Sequence, residues 1–445
     1  MKTLLFASEQ NCASLLLVFC LGACAAAFAN YCVDVFGWTP RYRSPWRRFP
    51  REFAVTTPRP RLSFVPIVGW LALARIASRT GDKSYSTIPG WEANVFWLRP
   101  FLTEILFALL ATWRFQALCG GFPATLQVCQ SWLVEFVFYW ILLCAAFVDL
   151  DDFVIPDSFT IPGAILGLLF AATLPCALIL TPTAFPLDLS AEASTYSVGD
   201  WFNAQLARGG NVPSSSVNLA IFGVWALIWS LWSFALLDRR FYLRFGLRKA
   251  FAVFFRRLRR SKLTPIVSVL WIVGLVALYF AATKLWPYSP KVARETSPAD
   301  FLTCSFLGLF VGMVMIWAVR VIGGASLGVE AMGFGDVIFS GVIGAFVGWQ
   351  GVIVVFFAAP FFGLVFGVLR RLFERTSQIP YGPFLALAAV VYSVFRDSIN
   401  EAAAPWFNDP VFLLIIGGIG FFMLGCLLLI LRGIKILLGK EKKSA

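Results

Sequence analysis

Long apolar runs recur from one end of this sequence to the other, and they restrict its fold more than any other feature. A helix of about 20 apolar residues crosses the ~30 Å hydrocarbon core of a bilayer. Since 59% of the residues are hydrophobic and 14% are charged, a soluble domain could not hide this apolar surface. The sequence therefore predicts an all-α polytopic membrane protein with about 11 transmembrane helices. The predicted spans lie near residues 11–31, 100–118, 131–149, 159–181, 217–237, 264–284, 302–322, 337–349, 352–369, 383–396 and 411–432.

Basic residues predict how these spans are oriented. Segment 238–262 is rich in Arg and Lys, whereas segment 183–216 is mainly acidic. Because cytoplasmic loops concentrate Lys and Arg, the first segment is expected inside and the second outside. Alternation then places the N-terminus outside and the basic C-terminal tail inside. The net charge of +13 is assigned to loops that face anionic membrane lipids, and no nucleic acid partner is expected. An alternative for the N-terminus is a cleaved signal peptide ending near Ala29.

The sequence contains no histidine, and this absence excludes several kinds of chemistry. Ser-His-Asp and Cys-His nucleophiles and the HExxH zinc helix all require imidazole. The ten cysteines form no CxxC pair, so a zinc site is not expected and no metal ligands are assigned. Acid–base catalysis must therefore use Asp, Glu, Lys, Tyr or Cys.

A first acidic site follows the third predicted span. Asp149 lies at the C-terminal end of that span, where the helix dipole disfavours a carboxylate, so it is a candidate functional residue. Asp151 and Asp152 are interpreted as solvated turn residues. Asp157 follows Pro156 and is expected to cap the next helix or to lie in its first turn.

A second acidic site is the sequence Gly333-Phe334-Gly335-Asp336. The two glycines allow a close backbone approach and positive φ angles. Asp336 then begins the next span at the cytoplasmic face, where a plain N-terminal Asp favoured by the dipole is the alternative interpretation. The predicted orientation places Asp149 and Asp336 on the same face. Two carboxylates about 3 Å apart cannot both ionise, so one can deprotonate a water while the other polarises a carbonyl. This is the chemistry of an aspartic protease.

In this order, the two motifs resemble those of the type IV prepilin leader peptidases, which carry an aspartate, then Pro-Asp, and later Gly-x-Gly-Asp. Shorter segments spread along the chain also resemble that family, mainly within residues 20–182 and 302–396. These segments are Gly22 to Asn30, Val65 to Leu71, Arg99 to Glu104, Phe159 to Pro162, Gly344 to Trp349 and Ile379 to Pro383.

The resemblance implies a GxGD aspartic endopeptidase of the bacterial inner membrane that acts at the cytoplasmic face. Its partners would be prepilin or pseudopilin substrates, from which it removes the leader peptide. Asp149 and Asp336 take the two catalytic positions, and Gly333, Gly335, Pro156 and Asp157 take supporting ones. Peptidase action needs no cofactor. Many members of the family also methylate the new N-terminus with S-adenosylmethionine.

The chain departs from the family pattern at several points. The paired CxxC motifs of the first cytoplasmic loop are missing, and Ile338 stands where the family usually has a lysine, which is expected to lower activity or shift its pH optimum. The chain is divided accordingly into six parts. These are a first transmembrane helix (1–32), a cytoplasmic loop with an interfacial segment and no zinc motif (33–99), a membrane region with the first catalytic Asp (100–182), an inserted loop and helical hairpin (183–300), the GxGD peptidase region (301–396), and an extra C-terminal transmembrane helix with a basic tail (397–445).

Two other functions compete with this one. A transporter could use charged residues in the spans, namely Glu104, Arg114, Glu135 and Arg320. A catalytically weak scaffold of a pilus or type II secretion system is the second alternative, because of Ile338.

Overall fold

The computed structural model describes residues 2–39, 41–42, 44–47, 61–80, 96–174, 214–236, 263–285, 298–327, 332–373, 380–407 and 410–437. Within these ranges the structure is helical and has no strand, which confirms the all-α prediction. The helices are α1 (Lys2–Phe36), α2 (Val68–Thr80), α3 (Leu98–Cys119), α4 (Leu126–Asp152), α5 (Asp157–Thr173), α6 (Ser214–Ala235), α7 (Leu263–Phe280), α8 (Pro298–Leu327), α9 (Phe334–Phe373), α10 (Gly382–Val394), α11 (Arg396–Phe407) and α12 (Pro410–Leu437).

Seven helices within the described ranges are long and apolar enough to cross a membrane, or eight if α10 and α11 together form one broken span. The apolar helices Asp157–Thr173 and Ile415–Ile430 are shorter. The polytopic prediction is confirmed, while the count of about 11 spans stays a prediction. The loops 183–213 and 238–262, on which the predicted orientation depends, lie outside the described residues.

Helix α9 joins two spans that the sequence predicts as separate. It has 40 residues, and a straight helix of that length would measure about 60 Å, twice the hydrocarbon thickness. The helix is kinked at Gly348, where φ is 79° and ψ is 176°. Because residues with a Cβ rarely adopt that backbone φ, a glycine is required at this position. The kink falls at the boundary between the predicted spans 337–349 and 352–369.

The described residues form two compact units. The first contains those within 1–165 and 357–391, and the second contains those within 166–356 and 392–445. In the first unit α1 packs against α3 and α4 through small residues. Ala26 and Ala29 are fully buried, and a Cβ on Gly22 would lie 2.8 Å from the Cα of Ala108. Small residues allow such close helix contacts in membranes. Trp140 Nε1 also donates to the backbone oxygen of Ala25, at 2.9 Å.

In the second unit the closest helix contact joins α8 and α9. Gly308 and Gly344 face each other so closely that a Cβ on either would collide with the other's backbone oxygen. Nearby, Ser305 Oγ donates to the backbone oxygen of Ala345, at 2.6 Å. This contact fixes the part of α9 that follows Asp336.

The hairpin of α6 and α7 packs onto α8 through tryptophans. Trp225 is fully buried, donates from Nε1 to Thr303 Oγ1 at 2.8 Å, and stacks on Phe306 with ring centroids 6.3 Å apart. Within the hairpin, Trp271 Nε1 donates to Ser230 Oγ at 2.9 Å. The hairpin that the sequence predicts as an insertion is thus packed onto the second unit through one face of α6.

Candidate active site

Asp149 lies in the last turn of α4, as the sequence predicts, and its residue is only 5% exposed. The helix ends at Phe153, whose N–H donates to the Asp149 backbone oxygen at 2.9 Å with a left-handed φ of 56°. A left-handed residue is a common end for a helix, although a bulky one is unusual there. The chain then turns through Pro156 into α5, which begins at Asp157.

The Asp149 carboxylate is bound by a residue from a distant part of the chain. The backbone N–H of Gly382, the first residue of α10, donates to Asp149 Oδ2 at 2.9 Å. The sequence places Gly382 in a segment that resembles the prepilin peptidases, but it does not predict this contact. A buried carboxylate needs such a donor, because a charge without partners is costly in an apolar interior.

Asp151 and Asp152 are not solvated turn residues, so that expectation is wrong. The Asp152 carboxylate accepts hydrogen bonds from Trp38 N at 2.7 Å, from Thr39 Oγ1 and from Arg41 Nη2 at 2.9 Å. Asp151 forms ion pairs with Arg41 at 3.4 Å and with Arg99. We call this set of residues the clasp. It ties the segment after α1 and the start of α3 to the end of the helix that carries Asp149.

Asp336 lies in the first turn of α9 and is 9% exposed. The dipole of a helix favours a carboxylate at that end. A Cβ on Gly333 would lie 3.2 Å from Asp336 Oδ2, so this glycine leaves room for the carboxylate. Gly333 and Gly335 are not among the described glycines that have a positive φ. The positive φ that the sequence allows in this motif is therefore not adopted.

Asp149 belongs to the first unit and Asp336 to the second. Each aspartate is described within its own unit, and the catalytic dyad that the two would form is a proposal.

Three of the segments that resemble the prepilin peptidases converge on Glu104, which is 1% exposed. Its Oε1 accepts from Trp70 Nε1 at 2.8 Å and from Asn30 Nδ2 at 3.1 Å. Its Oε2 accepts from the backbone N–H of Ile67 at 2.5 Å. The carboxylate thereby holds the chain entering α2 against α1 and α3, which gives this buried charge a structural role.

A second buried acid, Glu135, is paired with Arg114. The guanidinium donates from Nε to Oε2 at 2.8 Å and from Nη2 to Oε1 at 2.7 Å. This two-bond geometry satisfies both charges. The pairing gives a structural explanation for two of the four charges that the transporter alternative would use.

Within the described residues no group of three or more His, Cys, Asp and Glu side chains is arranged to hold a metal ion. A small polar cavity of the first unit lies beside Asn30, Trp70 and Arg99, and it has room for about one water molecule. This cavity is too small for S-adenosylmethionine.

Together, the helical fold and the two buried aspartates at helix ends define a polytopic membrane protein with candidate acid catalysts. The comparisons add a family: residues 262–368 match the model of the type IV leader peptidase family. The matched region contains the whole Gly-x-Gly-Asp motif and also helix α7. The predicted resemblance to the type IV prepilin peptidases is therefore confirmed, and residues 262–368 are the region that is similar to that family's model.

Several curated relatives share this similarity. The chain is 31% identical over 98 residues to a prepilin leader peptidase/N-methyltransferase of Aeromonas salmonicida, covering 21% of this chain and 34% of the relative. The Pseudomonas aeruginosa protein of the same name is 30% identical over 100 residues, or 22% and 34%. A type 4 prepilin-like proteins leader peptide-processing enzyme of Escherichia coli is 32% identical over 111 residues, or 25% and 40%. The matches thus span about a third of these relatives' length. No solved structure matches.

Proposed function

We propose that this protein is an aspartic endopeptidase that cleaves the leader peptide of type IV prepilins or pseudopilins. It would act at the cytoplasmic face of the bacterial inner membrane. The observation that carries this proposal is the family match, because it contains Asp336 within its Gly-x-Gly-Asp motif. The buried, hydrogen-bonded carboxylate of Asp149 is the second acid of the pair.

The proposed reaction uses the two carboxyl groups in complementary states. The ionised one takes a proton from a water molecule, whose oxygen attacks the carbonyl carbon of the scissile peptide. The protonated one donates to the carbonyl oxygen, and together they form a tetrahedral intermediate. When the C–N bond breaks, a proton returns to the leaving nitrogen. The second carboxylate takes a proton back from a hydroxyl of the tetrahedral intermediate as the new carboxyl group forms, so both catalytic carboxyl groups end as they began.

The test is cleavage of a prepilin from the same genome by a panel of variants. Asp149→Asn and Asp336→Asn should each abolish cleavage, because an amide neither accepts the water's proton nor donates to the carbonyl. The double variant should be no worse than either single one, since the two residues act as a unit. Asp157→Asn should keep a substantial part of the activity, because Asn and Asp cap helices about equally well.

The panel separates several outcomes. Full activity of Asp336→Asn would refute the aspartic mechanism. If Asp157→Asn is inactive while Asp149→Asn still cleaves, the catalytic acid of the first cluster is Asp157 and not Asp149. Size-exclusion profiles in detergent show that each variant still inserts and folds.

A catalytically weak scaffold of a pilus or type II secretion system is the second candidate. Its supporting observation is Ile338, two residues after Asp336, whose side chain is fully buried and supplies no cation to the pair. If the wild-type chain cleaves no prepilin but co-purifies with pilus or secretion components, the scaffold is the better function.

N-terminal methylation and lipid binding complete the proposal. The relatives' names include N-methyltransferase activity, and a methylating chain would use S-adenosylmethionine as its methyl donor. Mass spectrometry of the cleaved prepilin detects an added methyl group as a mass gain of about 14 Da.

In basic loops that face anionic lipid, each Lys or Arg near the surface contributes about 1 kcal/mol to membrane binding. A cysteine introduced at position 250 should be labelled from the cytoplasmic side.

A further inference from the structure

The contact between Asp149 and Gly382 joins residues 233 positions apart. Gly382 begins α10, and the backbone oxygen of Tyr381 accepts the first hydrogen bonds of that helix, from Phe384 and Leu385. The leading N–H groups of a helix have no partner inside it. One of these N–H groups is used on the Asp149 carboxylate.

This contact explains how Asp149 is tolerated at the wrong end of its own helix. The C-terminus of α4 carries partial negative charge, which disfavours a carboxylate. The N-terminus of α10 carries partial positive charge and a directed N–H donor, and both favour one. With α10 at 13 residues, the helix is long enough for this effect.

Gly382 is required because of space and not because of its backbone angle. Its φ is not among the positive values of the described residues. A Cβ built on it would lie 2.6 Å from Asp149 Oδ2 and 3.0 Å from Ile155 Cδ1. A Cβ atom essentially never lies within 3.0 Å of another heavy atom, so any side chain here would displace the carboxylate.

We propose that Gly382 is a positioning residue for Asp149: its N–H holds Oδ2 in one orientation, and its missing side chain leaves room for the carboxylate. The proposal rests on the proposed peptidase function. It gives a role to the Pro380-Tyr381-Gly382-Pro383 segment, which the catalytic pair alone leaves without one. A fixed Oδ2 fixes the direction of Oδ1 as well, and geometry of that kind governs the rate of the chemical step.

The first test is prepilin cleavage by Gly382→Ala, with Gly363→Ala as the matched control. A Cβ on Gly363 would meet the Phe384 ring at 3.4 Å, an ordinary contact in the same unit. Gly382→Ala should lower kcat about 100-fold, the usual cost of a displacement near 1 Å, with KM changed less than about two-fold. Gly363→Ala should match the wild type in both. A Gly382→Ala chain with the kcat of the control would overturn the proposal.

The second test uses melting temperature and needs no substrate. Gly382→Ala should lower the melting temperature of the wild-type chain by several degrees, because the new Cβ meets Oδ2. In an Asp149→Ala background that oxygen is gone, so the same substitution should cost much less. Equal losses in both backgrounds would show that the clash is not with the carboxylate and would overturn the proposal.

The two tests distinguish this proposal from the peptidase function. A wild-type chain that cleaves no prepilin overturns the peptidase function and the positioning role of Gly382 in it. The melting temperatures in the two backgrounds still measure the contact between Gly382 and Asp149. An active wild type with an unaffected Gly382→Ala overturns the positioning role alone.

Discussion

Asp152→Asn should destabilise the protein measurably, although the sequence alone suggests a harmless change at a solvated turn. The carboxylate of Asp152 uses both oxygens, because Oδ2 accepts from Trp38 N–H and Oδ1 accepts from Arg41 and Thr39. An asparagine has one oxygen. One side of the clasp therefore loses its acceptor and faces an N–H₂ group instead.

The magnitude follows from the charge and burial of this contact. A hydrogen bond to a charged group contributes about 1.5–3 kcal/mol, and the Asp152 side chain is only 4% exposed, so little water reaches the carboxylate. Arg41 keeps its ion pair with Asp151 at 3.4 Å, which limits the damage. We expect the free energy of unfolding to fall by about 2 kcal/mol.

Unfolding in mixed detergent micelles, followed with a thiol-reactive dye, measures this loss. Cys32 and Cys144 are buried in one core cluster of the first unit, between α1 and α4, and react when that unit opens. The matched control is Asp397→Asn. Its carboxylate pairs with Arg396 at 3.0 Å with 86% of the side chain exposed, and such surface pairs contribute little. If Asp152→Asn unfolds at the same detergent fraction as Asp397→Asn, the clasp does not anchor the end of α4.

Three further predictions follow from other contacts. Glu135→Gln should cost about 3–5 kcal/mol by leaving the buried Arg114 charge uncompensated, whereas replacing both residues with leucine should restore most of the loss in the same unfolding assay. Trp225→Phe should lose about 1 kcal/mol for its hydrogen bond to Thr303 in addition to the cost of the buried ring volume that is removed, and a Thr303→Val background should remove only the hydrogen-bond part. Chelators should leave prepilin cleavage intact, and elemental analysis that finds one tightly bound zinc per chain would contradict this.

Much of the architecture could be predicted from the sequence because it depends on local properties. Apolar length gives the spans, and the predicted boundary between spans 337–349 and 352–369 falls beside the kink of α9 at Gly348. Asp149 at a helix end and Asp336 in a first turn follow from the same local pattern. The family resemblance was also readable, since its motifs are contiguous and keep their order.

The contacts of the site could not be predicted in this way, because they join distant parts of the chain. The residues near Asp152 in sequence do not indicate that Arg41 and Trp38 contact its carboxylate. The local pattern therefore favours a solvated turn residue. Gly382 lies between a tyrosine and a proline, which indicates a helix start but gives no distance to Asp149. A carboxylate at the disfavoured end of a helix was the one available signal, since it requires a donor from elsewhere.

The pairing of Arg114 with Glu135 has a consequence for how the chain enters the membrane. Each residue lies in the part of its helix nearest the connection 120–125, so the two charges are close in sequence as well as in space. A single charge costs about 2.5–3.5 kcal/mol at the centre of a span during insertion, and less toward the ends, where these two residues lie. Helices α3 and α4 entering as a hairpin would bring the two charges in as a neutral, hydrogen-bonded unit. Biosynthesis is then expected to delay commitment of α3 until residue 135 has left the ribosome.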